Sequence, residues 1–165
     1  MFYALFVSKE LKSMIISEYF TPRKELSRCF ISIFHIIQKE VYKLIIITNN
    51  PLVKEKFSEY DIIFKEIDYL EILKQVRDMI HKGHKLLTHP LSGSVKPNET
   101  PYKSLAVSKQ SIGKLDMDSL MIIEKSIETT NKFYNNAKRP HWKESILEDF
   151  QLIDKTLIEN ALKNK

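Results

Sequence analysis

Apolar residues group along this chain in two ways, as unbroken runs of four or five and as stripes recurring every three or four positions. Leu44-Ile45-Ile46-Ile47-Thr48 is the clearest run, closed by Asn49-Asn50-Pro51. A run without alternation suits a strand covered on both faces. Asn50 and Pro51 have the chemistry of a helix N-cap and first helical position, which predicts a short helix over 51–57. Asp61-Ile62-Ile63-Phe64 predicts a second strand. Asp68, with Glu71 three positions on, has capping-box spacing. Leu70, Leu73, Val76 and Ile80, widened by Ile72 and Met79, give the following helix its apolar stripe. Gly83 is placed to end that helix in the left-handed conformation.

Lys85-Leu86-Leu87-Thr88 predicts a third strand and Ser104-Leu105-Ala106-Val107-Ser108 a fourth, with a long polar loop between them. Asp116 or Asp118 opens a helix reaching about Tyr134, striped by Leu120, Ile123, Ile127 and Tyr134. Arg139-Pro140-His141 is a break. A last helix is expected over 142–162, with Ile146, Phe150, Ile153, Leu157 and Ala161 on one face. Strands alternating with helices predict an α/β fold over 44–165: a small, doubly wound, mostly parallel sheet of about four strands with flanking helices.

Residues 1–43 fit this scheme poorly. Leu11–Phe20 and Leu26–Tyr42 read as amphipathic helices broken at Pro22, giving a helical N-terminal extension. Lys39-Glu40-Val41, however, can be encoded by AAG-GAG-GTN, a strong bacterial ribosome-binding sequence, and Leu44 by TTG. Two readings therefore stand for 1–43: a helical extension packed on the core, or an over-long gene start.

Composition narrows the function classes. Cys29 is the only cysteine in 165 residues, which excludes a disulfide scaffold and an internal dithiol pair. The run near Cys29–Ile37 contains Ser32 and His35 and is short of the roughly 20 apolar residues of a membrane span. With no basic residue ahead of the apolar start Met1–Val7, the chain is expected to be soluble and cytoplasmic. The net charge of +5 is uneven: residues 1–43 carry seven Lys/Arg against four Asp/Glu, residues 44–165 nineteen against seventeen. A nearly neutral body with no nucleic-acid-binding module argues against nucleic acid as a partner.

The loop from His89 to Lys103 concentrates the candidate chemistry. Fifteen residues without an element of their own are uncommon in a compact domain and often functional. Pro90, Pro97 and Pro101 shape the loop. Gly93, one of only three glycines, stands between Ser92 and Ser94 and permits a tight turn of converging amides that suits an anion. Lys96 and Lys103 add charge; residues 74–103 hold six Lys/Arg and two acids. Ligands of open parallel sheets bind beyond the carboxyl ends of the strands. If 44–48 and 85–88 are neighbours, Asn49 and Asn50 face Ser92, Gly93, Ser94, Lys96, Asn98, Thr100 and Lys103 across one crevice suited to a carboxylate or phosphate. The alternative is a rigid connection that caps the sheet edge. Neither a Walker A sequence nor a G-x-G-x-x-G turn occurs, so no nucleotide and no cofactor is specified.

His81, His84 and His89 lie close in sequence, but Gly83 separates the first two and no metal motif is formed, so no metal is expected. His89 opens the loop and is the candidate acid/base, or else a hydrogen-bond donor holding the loop. Ser92 and Ser94 lack an oriented base and a G-x-S-x-G elbow. Glu99 is expected to pair with Lys96 or Lys103; Trp142, Phe150 and Tyr134 fall at helical core positions.

The segments Leu44–Pro51 and His89–Ser104 resemble the GrdX family, over about residues 44–160. Proteins of that family are encoded with the glycine reductase operon of amino-acid-fermenting anaerobic bacteria, and members typically begin near the first strand, which favours the over-long start. The resemblance brings no catalytic residues with it. It implies a setting of reductive deamination of glycine, sarcosine or betaine with formation of acetyl phosphate. That chemistry uses selenol and thiol groups, and residues 44–165 contain no cysteine. The chain is therefore expected to be an accessory or regulatory protein binding a small anionic metabolite. The alternatives are an enzyme acting on a small carboxylate or acyl phosphate through His89, and an interaction protein for a glycine reductase subunit.

Overall fold

The structure is a computed structural model and describes residues 44–111, 113–137 and 140–163. The expected helices Leu11–Phe20 and Leu26–Tyr42, and both readings of residues 1–43, lie outside the described residues, as does Arg139 of the expected break.

The described elements run β1 (Leu44–Thr48), α1 (Pro51–Lys56), β2 (Asp61–Phe64), α2 (Tyr69–His81), β3 (Ser104–Ser108), α3 (Met117–Asn136) and α4 (Glu144–Lys163). Their ends are set by local chemistry. The Asn50 side chain accepts from Leu52 N, with Pro51 in the first turn of α1. Asp68 accepts from Glu71 N at 2.8 Å to open α2, and Asp116 caps α3 by accepting from Ser119 N. Gly83 takes φ +91 just past α2, where a Cβ would stand 2.5 Å from Ser111 Oγ.

The sheet corrects the expectation of a mostly parallel, doubly wound sheet of about four strands. Among the described residues it has three strands, in the order β2-β1-β3. β1 and β2 are parallel, with Ile46 opposite Ile62, while β1 and β3 are antiparallel, with Ile46 opposite Ala106. The physical reason is the connection. No helix lies between 88 and 104 to carry the chain back across the sheet, so it stays at one end of the strands and must return in the opposite direction. Lys85–Thr88 runs beside β3 rather than beside β1, as a single antiparallel bridge, Leu86 to Val107. Leu87 N and Ser108 N donate to Ala106 O and Lys85 O across it. The return bonds go to hydroxyls instead: Lys85 N to Ser108 Oγ and Ala106 N to Thr88 Oγ1. Side chains thus occupy half of the ladder.

Helices cover both faces of the sheet. Ile45, Ile47, Leu105 and Val107 face Ile72, Leu73, Val76 and Ile80 of α2 and Ile123 and Ile127 of α3. Leu44, Ile46 and Ala106 face Val53 and Phe57 and, on α4, Ile158. Each fully buried aliphatic side chain here contributes about 1.5–3 kcal/mol. The stripe of α4 is rotated from the expected one. Ile153 is 41% exposed, while Asp154 and Ile158 point inward. No helix among the described residues is long and apolar enough to cross a membrane.

Candidate functional site

One end of the sheet gathers the carboxyl end of β1, the end of the 85–88 segment and the start of β3. The 89–103 loop closes this end and is pinned from several sides. Asn49 accepts from Lys103 N at 2.7 Å and donates through Nδ2 to Pro101 O and Ile67 O. The Tyr69 hydroxyl donates to Pro90 O, and the Trp142 indole to Glu99 O at 2.7 Å. Within the loop, Ser92 N, Glu99 N, Thr100 N and Tyr102 N are spent on internal turns. The amides of Gly93, Ser94, Val95 and Lys96 form no hydrogen bond among the described residues.

Beneath the loop lies a small cavity of about 20 Å³, lined by Tyr69, Ser92, Val95, Thr100, Tyr102, Lys103, Phe150, Ile153, Asp154 and Leu157. That volume holds about one water-sized group. Lys103 is its central feature. The residue is 4% exposed. Its ammonium lies over the Tyr69 ring, 5.7 Å from the centroid, and makes no ion pair or hydrogen bond among the described residues. Burial lowers its pKa from the usual lysine value, and the charge of Asp154 partly offsets that effect. Burial, with the negative charge of Asp154 next in weight, pushes the Tyr69 phenol well above the usual tyrosine range.

Asp154, 5% exposed, is held by three donors. Ser104 N donates to Oδ1 at 2.8 Å, while Ser104 Oγ and Asn50 Nδ2 donate to Oδ2 at 2.7 and 2.9 Å. Thr48 Oγ1 lies 2.7 Å from Ser104 Oγ and accepts from Asn50 N. This buried polar network forms the floor of the site.

The residues expected to form the site are divided by the structure. Ser92, Thr100 and Lys103 line the cavity together. Asn49 and Asn50 are buried, with their amides committed to the loop, α1 and α4. Gly93 has φ +100, and a Cβ there would stand 2.8 Å from Leu157 Cδ1. Ser94 and Lys96 are on the surface, Lys96 paired with Glu99 at 3.4 Å. Asn98 is buried with its Oδ1 lacking a hydrogen-bond partner among the described residues. His89 is exposed, accepts from Leu91 N through Nδ1 and does not line the cavity. His84 donates through Nδ1 to Ser108 O. No group of three or more His, Cys, Asp or Glu is placed to share a metal ion among the described residues.

Tyr69, Tyr102 and Asp154 were not expected at the site. Asp154 left a signal: it occupies an inward position of the spacing Phe150-Asp154-Ile158, where an acid needs polar partners. Against known proteins, residues 45–163 match the family model described as GrdX-like protein. No curated protein and no solved structure matches the chain.

Proposed function

The chain belongs to the GrdX-like protein family, and on that premise we propose that it is an accessory protein of glycine-reductase-linked metabolism that binds a small anion at Lys103. The observation that carries the reading is the buried ammonium itself. A cation removed from water without a directly paired counter-charge costs several kcal/mol. An oxyanion entering the cavity supplies that counter-charge. The hydroxyls of Ser92, Thr100 and Tyr102 add donors around it.

The size of the cavity sets what enters. A carboxylate oxygen or one phosphoryl oxygen fits beside Lys103, with the remainder of the metabolite under the 92–96 stretch. The unbonded amides of that stretch supply further donors. His89, outside the lining, has no part in this binding. Of Lys96 and Lys103, both expected to add charge, Lys103 is the buried one that forms no ion pair, while Lys96 pairs with Glu99.

The test is calorimetric titration with acetate and with inorganic phosphate, on the wild-type chain and on Lys103→Met. Saturable binding of at least one anion with a Kd of ~1 mM, lost in Lys103→Met, is the expected result. Equal affinity in both proteins, or no binding to the wild type, overturns the reading.

A further inference from the structure

Two oppositely charged side chains, Lys103 and Asp154, line the same cavity at 4% and 5% exposure. They form no ion pair with each other. A buried separated pair of this kind leaves each charge short of its best partner. A simple anion answers only Lys103 and brings a second negative charge alongside Asp154. A simple cation does the reverse. A molecule carrying both charges meets both side chains and brings no net charge into the interior.

The hydrogen-bond inventory leaves room for it. Asp154 Oδ2 already accepts two bonds, from Ser104 Oγ and Asn50 Nδ2. Oδ1 accepts one, from Ser104 N, and an ionised carboxylate oxygen takes two. The Lys103 ammonium has three donors and no hydrogen-bonded acceptor among the described residues. Val95, Phe150 and Leu157 close the walls, and Gly93 is held against Leu157, so the space excludes a bulky substituent.

We infer that the cavity recognises a small zwitterion, an α-amino acid with little or no side chain, its carboxylate on Lys103 and its ammonium on Asp154 Oδ1. This rests on the anion-site reading and specifies its ligand class. Because the cavity holds only about one water-sized group, entry of the whole zwitterion requires the wall formed by Ser92 and Val95, next to the unbonded amides, to move outward.

The experiment is a calorimetric series on the full wild-type chain with glycine, acetate and methylammonium, each alone, followed by glycine on Asp154→Asn. Glycine is expected to bind about tenfold or more tighter than acetate, because it adds a charged hydrogen bond. Methylammonium alone is expected to bind more weakly than glycine. In a folded Asp154→Asn chain, glycine falls to the acetate level. Glycine binding no tighter than acetate overturns the zwitterion while leaving the anion site standing. Absence of binding by both glycine and acetate removes this inference, and if inorganic phosphate also fails to bind, the anion site goes with it. The wild-type series decides the matter even if Asp154→Asn does not fold.

Discussion

Asp154 of α4 accepts both the main-chain N–H and the hydroxyl of Ser104, the first residue of β3, at 2.8 and 2.7 Å. With Asn50 as a third donor, one carboxylate ties the last helix to the start of β3 and to the β1–α1 junction. These are the elements that set the floor and one wall of the cavity, so the site and the fold share a residue.

Replacing that carboxylate with a methyl group leaves the Ser104 N–H, the Ser104 hydroxyl and the Asn50 amide short of an acceptor. Each buried unsatisfied group costs about 1–3 kcal/mol. Asp154→Ala is therefore expected to lose at least about 3 kcal/mol of unfolding free energy, read from urea denaturation. A loss below about 1 kcal/mol would show that water replaces the carboxylate without cost.

The alkaline limb of stability carries two opposed contributions. Lys103 has its pKa lowered from the ordinary 10.5 by burial. Between the lowered value and the ordinary one the unfolded chain holds the extra proton, so this group makes stability rise with pH. Tyr69 has its pKa raised above the ordinary 10.0, first by burial and then by Asp154. Its contribution is complete below the unfolded value and is lost as pH rises through the folded one. Urea midpoints measured between roughly pH 8 and 11 should show the rise abolished in Lys103→Met and the fall reduced in Tyr69→Phe. A rise of equal slope in Lys103→Met would contradict the assignment.

Gly93 is constrained twice, by φ +100 and by Leu157 Cδ1 at 2.8 Å from where a Cβ would sit. Gly93→Ala is expected to destabilise by about 1–3 kcal/mol and to weaken ligand binding. Leu157→Ala in the same chain relieves the contact but not the backbone strain, so thermal melts, referenced to Leu157→Ala alone, should show that Gly93→Ala still costs part of its original loss. Full recovery would mean that the backbone carries no strain there.

His89 stands outside the cavity, its ring engaged by Leu91 N. His89→Ala is expected to leave the affinity for acetate and phosphate within about twofold of wild type. A loss of tenfold or more would place His89 in the binding site after all.

Elements defined by neighbours in sequence were legible before the structure was. β1 and its Asn50-Pro51 cap, β2, and α2 between Asp68 and Gly83 follow from local apolar runs and capping chemistry. The direction of β3 was not legible, because it depends on the path of the 89–103 loop and not on Ser104–Ser108 themselves. The 85–88 segment has strand composition, yet Ser108 Oγ and Thr88 Oγ1 take half of its ladder. On α4 the apolar Ile153 competed with Asp154 for the inward face, and hydropathy alone favours the wrong one. Lys96 and Lys103 were equal as charges in sequence. Only burial separates a surface lysine paired with Glu99 from one enclosed without an acid partner.

The most direct test is a pH titration of the Lys103 side chain by NMR, with lysine carbon labelling and Lys103→Met for assignment, with and without saturating acetate. Lys103 is expected to titrate below the usual lysine value in the free protein and to move upward when acetate fills the cavity. A Lys103 that titrates at the usual lysine value and ignores the anion would contradict this.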